Sequence, residues 1–245
     1  MKLIKSGNSI FIGTGCAQPQ HLVNALVEYS DHIYDAHIVH LLTMGAAPYA
    51  DERFREKFKM NSFFIADNVR GALERGIGDY TPIFLSEIPA EFETGRIPID
   101  VALITVTPPD VNGLCSLGVS VDITLAAAQV ADLLIVQVNP RMPRVLGHSF
   151  VHVNEADFIV EHEEALITVP EPPESERANQ IGRLIARLID DGSTLQISPG
   201  TTGQATALAL ADKNDLGVHS HYLTDEIMHL VSRGVVTNRK KGFNE

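Results

Sequence analysis

Two histidines stand two positions apart in "DLGVHSHYLTD", residues 215–225: His219 and His221. Imidazole titrates near neutrality, so either ring could serve as a general base or as a metal ligand. On a strand, residues i and i+2 point to one face, and Asp225 or His229 could then complete a metal site. Asp225 also suits the N-cap of a following helix. The metalloprotease pattern HExxH and the nucleophile elbow GxSxG are both absent.

Four loops offer further chemistry. "GTGCAQPQ" (13–20) follows a strand-like run, and Gly13 and Gly15 would let the backbone approach a phosphate or a carbonyl oxygen. It is not GxGxxG, because Gln18 holds the last position. "TPPDVNGLCSLGVS" (107–120) carries Pro108, Asp110, Gly113 and Ser116, which combine a stiff turn, polar groups and room for close approach. "VNPRMPRVLGHSFVHVNEAD" (138–157) holds Asn139 in a rigid loop, with Arg141 and Arg144 suited to an anion or simply solvated. "LQISPGTTGQATAL" (195–208) reads as strand, glycine-rich turn and helix, with Gly200 at the turn; without GK[ST] it is no P-loop.

The elements that must hold these loops alternate. Apolar runs "SIFIGTG", "AHIVHLLTM", "PIFLSEIP", "DVALITVT" and "DLLIVQVN" read as strands, and "NVRGALERG" and "DITLAAAQVA" as helices. Strands without polar alternation suit a parallel sheet covered on both faces. The expected class is α/β, an open and mostly parallel sheet. "VPEPPESERANQ" (169–180) reads as a linker, dividing a domain at 1–170 from a linker and incomplete second α/β domain at 171–245. That second part reads as a helix begun at Ser175, strand "STLQIS", helix "GQATALALAD", strand "LGVH" and helix "DEIMHLVSRG". No closing strand follows, so it is expected to pack on the first domain or to belong to something longer.

Composition narrows the partners. Of 245 residues 44% are hydrophobic, enough for a packed core, and the 18 glycines and 13 prolines give many turns without a disordered composition. A net charge of −12 argues against nucleic acid or an anionic membrane as partner, since both need a basic face. Cys16 and Cys115 have neither disulfide-framework nor zinc spacing. No signal-like or membrane-spanning apolar run occurs, and the expectation is a cytoplasmic protein with reduced thiols.

Four segments in order and register carry a resemblance: "FFIADNVRGALERGIGDYTPIFLSEIP", "TPPDVNGLCSLGVSVD", "VNPRMPRVLGHSFVHV" and "DLGVHSHYLTDEIMHLVSRGVVTNRKK". Together they resemble the N-terminal half of the acetyl-CoA hydrolase/transferase family, the group of 4-hydroxybutyrate and butyrate/acetate CoA-transferases. The resemblance implies a sheet of CoA-transferase type with the start of a second similar domain. It implies ping-pong transfer, in which a glutamate carboxylate attacks the acyl-CoA thioester and passes through a mixed anhydride and a glutamyl-CoA thioester. It also implies no covalently bound cofactor, coenzyme A thioester as substrate, and a short-chain carboxylate as the second substrate.

In the family the last segment reads Leu-Gly-Val/Ile-His-Thr/Ser-Glu, with Glu as nucleophile; here that position is His221. "LQISPGTTGQ" departs from the family's Gly-Ile-Gly, and His148 stands where an acid or amide is usual before Ser149. Imidazole cannot form the glutamyl intermediates, though it could activate water for hydrolysis or form a short-lived acyl-imidazole. The expectation is therefore CoA-transfer or acetyl-CoA hydrolysis at a modified site. The alternative is a non-catalytic or split subunit, acting in a homo-oligomer or beside a partner chain that completes the second domain. The ligand-facing residues expected are Gly13, Gly15, Pro108, Asp110, Gly113, Ser116, Asn139 and Gly200.

Overall fold

The computed structural model describes residues 2–170 and 173–242, so Glu171 and Pro172 of the expected linker lie outside the described residues. The chain divides into two compact units, Met1–Val169 and Pro170–Glu245. Among the described residues no helix is long and apolar enough to cross a membrane.

The first unit is built on a seven-stranded sheet. Its strands are β1 (Ser9–Ile12), β2 (Ala36–His40), β3 (Phe58–Ser62), β4 (Gly78–Tyr80), β5 (Val101–Val106), β7 (Leu133–Val138) and β9 (Phe158–Glu161). The order is β4-β3-β2-β1-β5-β7-β9, and every pair is parallel. Helices α1 (Gln20–Glu28), α2 (Asp67–Glu74), α3 (Ile88–Glu93) and α4 (Thr124–Val130) cover it. Successive side chains leave opposite faces of a strand. Ile10, Ile12 and Leu103 therefore join one core with Leu22 and Leu26 of α1 and Val69 of α2. Phe11, Ala102 and Ile104 join the other with Phe92 of α3 and Ala127 of α4. Two covered faces explain why "VALITV" of β5 is apolar without alternation and buried at every position.

A short antiparallel ribbon stands outside this sheet: β6 (Leu114–Ser116) pairs with β8 (Phe150–His152). It joins the loop leaving β5 to the loop leaving β7. "PIFLSEIP" does not form the expected strand. Its prolines remove ladder donors, and Pro89 instead occupies the first turn of α3, where its missing N–H costs nothing.

The second unit contains α5 (Glu176–Ala186), β10 (Thr194–Leu195), α6 (Thr201–Leu208), β11 (Gly217–Val218) and α7 (Asp225–Ser232). Ser175 caps α5, its hydroxyl accepting from Ala178 N at 3.3 Å. Strands β10 and β11 are parallel and form a two-stranded sheet. Ile197, Ala207, Leu210, Leu216, Ile227 and Leu230 form its core. The N-cap of α7 is Thr224 rather than Asp225, which falls in the first turn, where its charge still favours the helix dipole.

Candidate functional site

Open α/β sheets bind ligands beyond the carboxyl ends of their strands, where the strand order reverses. In the first unit that point lies between β1 and β5. Gly13 and Gly15 follow β1, Pro108 and Asp110 follow β5, and Asn139 follows β7, so the topology brings these loops to one end of the sheet.

The chain itself fills much of the space between them. Gly13 N donates to Leu103 O at 2.8 Å. Gly15 has φ +57°, and a Cβ there would collide with the Ser120 hydroxyl. The Thr14 hydroxyl, buried beside it, bonds to the Asp122 carboxylate. Asn139 is 1% exposed, and its amide donates to Glu164 O and accepts from Arg141 N. Beside Asn139 lies a cavity of about 10 Å³ lined in part by Cys16, Gln18, Thr105 and Glu164. That is room for about one water molecule.

The other expected residues of this unit hold loop to loop. Asp110 Oδ1 accepts from Asn112 N and Leu114 N, both at 2.9 Å, and Oδ2 accepts from Arg144 at 2.6 Å. The Leu114 N–H, opposed by burial but joined by the Asn112 N–H and the Arg144 charge, holds the Asp110 carboxyl below the usual carboxylate range. Ser116 is fully buried; its hydroxyl donates to Val145 O and accepts from Gly118 N and Val145 N. Gly113 lies against the His152 ring, whose Nε2 donates to Asn112 O at 3.0 Å. Pro108 is exposed. Arg141 and Arg144 are engaged by Glu163 and Asp110, so their charges serve the loops internally. His148 is exposed on the same loop.

The second unit has an open pocket. It is about 400 Å³ and is lined by Ile185, Gln196, Ser198, Gly200, Thr201 and Thr206 among others. Here the chain leaves β10, turns through Ser198-Pro199-Gly200 and enters α6. Gly200 adopts φ +109°. Gly203 lies so close to Ser198 O that any side chain would displace the turn. The neighbouring strand β11 ends beside it. His219 N donates to Leu195 O at 2.8 Å, and the Ser220 hydroxyl donates to Ile197 O at 2.7 Å. These bonds fix the histidine segment against the glycine-rich turn. The strand stops at Val218, so His219 and His221 do not share a strand face as expected.

His221 is exposed, and Gln196 Nε2 lies 3.4 Å from its Nδ1. Sequence reasoning missed Gln196; its place between an apolar strand and a glycine-rich turn was the available signal. On the same side, Gln204 of α6 donates to Glu226 Oε1 at 2.8 Å. Burial works to raise the Glu226 carboxyl, but hydrogen bonds from Thr224, from its own N–H and from Gln204 outweigh it and keep the group ionised at lower pH than usual. Among the described residues no three His, Cys, Asp or Glu side chains are grouped to hold a metal ion, so Asp225 and His229 do not complete a site with the pair. Cys16 and Cys115 are free, and burial pushes both thiols up, away from a reactive thiolate.

Comparison with known proteins gives a consistent result. The description of the acetyl-CoA hydrolase/transferase N-terminal domain matches residues 1–171. The chain is 41% identical over 238 residues to a 4-hydroxybutyrate coenzyme A transferase of Clostridium kluyveri, covering 97% of this chain and 56% of that protein. It is 38% identical to a succinyl-CoA:acetate/propanoyl-CoA:succinate CoA transferase of Fasciola hepatica, covering 97% of this chain and 50% of the relative. The crystal structure of RipA from Yersinia pestis superposes with a TM-score of 0.93 at 31% identity, over 98% of this chain and 58% of that one. The chain thus spans about half the length of the curated relatives it matches.

Proposed function

The chain belongs to the acetyl-CoA hydrolase/transferase family, and from that premise we propose that it binds an acyl-CoA thioester with the acyl carbonyl at the glycine-rich turn 198–203. The observation that carries this reading is the 3.4 Å approach of His221 Nδ1 to Nε2 of Gln196, a residue that lines the pocket at that turn; on the resemblance, His221 takes the position of the family's attacking glutamate. The two relatives named above differ in acyl group and share coenzyme A, which supports the thioester as the common substrate.

An imidazole alters the chemistry available. A carboxylate can attack the thioester and become an anhydride; a neutral imidazole can take a proton from water. The water oxygen then bonds to the acyl carbon, the carbon–sulfur bond breaks, and the proton leaves with the CoA sulfur. The products are a carboxylic acid and free CoA. N–H groups at the start of α6 suit the developing oxyanion. The proposed activity is thus hydrolysis of a short-chain acyl-CoA rather than transfer.

Acetyl-CoA with a thiol reagent tests this. Steady CoA release that falls at least about a hundredfold in His221→Ala is expected, in line with loss of a general base. His221→Glu should give a new acyl-CoA when a second carboxylate is added. Release unchanged in His221→Ala would overturn the role of this side chain. Tight acyl-CoA binding without release would overturn hydrolysis and leave a binding subunit.

A further inference from the structure

His221 can take a proton only where one of its ring nitrogens has a free lone pair, and the group beside the ring decides which nitrogen that is. The backbone builds the pair. Strand β10 ends at Leu195, whose C=O accepts from His219 N at 2.8 Å. On the other side of Gln196, the C=O of Ile197 accepts from the Ser220 hydroxyl at 2.7 Å. These two bonds bracket Gln196 and hold it beside the segment that leads into His221. Both side chains are exposed, so a substitution at Gln196 disturbs no packed core.

Nε2 of the Gln196 amide lies 3.4 Å from Nδ1 of His221. A carboxamide nitrogen donates and accepts nothing. Nδ1 therefore presents its lone pair to the amide, and the one proton of the neutral ring sits on Nε2. In this arrangement the ring has no base to offer, because its lone pair is capped. The amide has a second orientation of nearly the same shape. Half a turn about its last torsion, which is broad and two-fold in glutamine, puts Oε1 where Nε2 stood. Oε1 then accepts from Nδ1–H, and the free lone pair is on Nε2.

The two orientations differ again once a proton is taken. An imidazolium carries N–H at both nitrogens. Oε1 accepts a charge-assisted hydrogen bond from it, whereas an amide N–H meets a cation with no lone pair to receive it. We propose that Gln196 is the positioning residue of His221: with its N–H against Nδ1 the amide masks the base, and with Oε1 there it exposes the Nε2 lone pair and stabilises the charged ring. In the second state water gives a proton to Nε2 as its oxygen bonds to the acyl carbon, and that proton passes from Nε2 to the departing CoA sulfur. The catalytic consequence rests on the proposed hydrolysis; the control of the tautomer rests on the Gln196–His221 pair alone.

Two substitutions separate the orientations. Ionised Gln196→Glu only accepts at the ring, and Gln196→Lys only donates. The readout is the nitrogen chemical shifts of the His221 ring, assigned by their loss in His221→Ala, at about pH 8, above the ordinary imidazole range. The wild type and Gln196→Lys should carry the ring proton on Nε2, and Gln196→Glu on Nδ1. With acetyl-CoA, kcat for CoA release should rise at least about threefold in Gln196→Glu and fall at least about tenfold in Gln196→Lys. KM should rise with glutamate and fall with lysine, because the CoA phosphates are repelled by one and attracted by the other. Damage to the fold would not produce that split. A wild-type ring protonated on Nδ1, one tautomer in all three proteins, or Gln196→Lys as active as the wild type would overturn the inference. The expected tautomers with no CoA release from any of the three would overturn the proposed hydrolysis and leave the tautomer control standing.

Discussion

His40 ends β2 at the centre of the first unit, fully buried. Ser62 Oγ lies 3.4 Å from its Nδ1, and its Nε2 has no hydrogen-bond partner among the described residues. Burial pushes the imidazole from its ordinary 6.5 down to about 4, partly offset by a backbone hydrogen bond at Leu41. The folded state therefore resists the proton that the unfolded chain accepts. Above the unfolded value both states are neutral and stability is unaffected. As pH falls from there towards about 4, the unfolded state gains the proton first and the fold is weakened. The full shift corresponds to about 3 kcal/mol. Linkage gives about 2 kcal/mol lost at pH 5 and about 3 kcal/mol at pH 4 from this one group. Other titrating groups contribute as well, so the measurement is a double difference. Unfolding free energies of the wild type and of His40→Asn are compared at about pH 7 and pH 5 by denaturant, following exchange of β1 and β5 amides. The variant starts weaker, because an amide replaces a packed ring, but it should lack this component. The gap between the two proteins should narrow by about 2 kcal/mol on acidification. A gap independent of pH would refute the reasoning, since it would mean that His40 protonates in the folded state as easily as in the unfolded.

Three further outcomes follow from the loops. Ser116→Ala leaves the N–H groups of Gly118 and Val145 without their acceptor. It should cost about 2–4 kcal/mol, measured as a lower denaturation midpoint. Gly15→Ala places a methyl group against Ser120 at φ +57° and should cost at least about 1–3 kcal/mol, with the strain visible as faster exchange around residues 13–16. Asp110→Ala removes the acceptor for Asn112 and Leu114 and the partner of Arg144. Faster exchange at those two amides is expected with little effect on the main sheet, and acidification through the lowered carboxyl pKa should reproduce it in the wild type.

Much of the architecture was legible in the residues. The unbroken apolar run of β5 required a strand covered on both faces, and "NVRGALERG" required a helix ending at Gly76, which indeed has φ +70°. "PIFLSEIP" misled because its apolar residues resemble a strand while its prolines forbid the ladder. "STLQIS" and "LGVH" also promised longer strands than the two-residue pair that forms. Strand length depends on a neighbour to bond, and the sequence of one strand does not record whether that neighbour is present.

The candidate site divides along the same line. The residue types narrowed the class of chemistry to propose: glycine turns after strands, an imidazole after a short apolar run, and no P-loop, nucleophile elbow or paired cysteines. They also carried the resemblance to a thioester-handling family. Only the tertiary structure decided which polar groups remain available. Asp110, Ser116 and Asn139 read as ligand residues by type, yet each is satisfied by partners 2 to 34 positions away along the chain. Gln196 and His221, 25 positions apart in sequence, are brought within 3.4 Å of each other by a strand pair and the bond from Ser220 to Ile197 O. Side-chain chemistry is a local property of the chain, whereas hydrogen-bond satisfaction is a property of the packing around it.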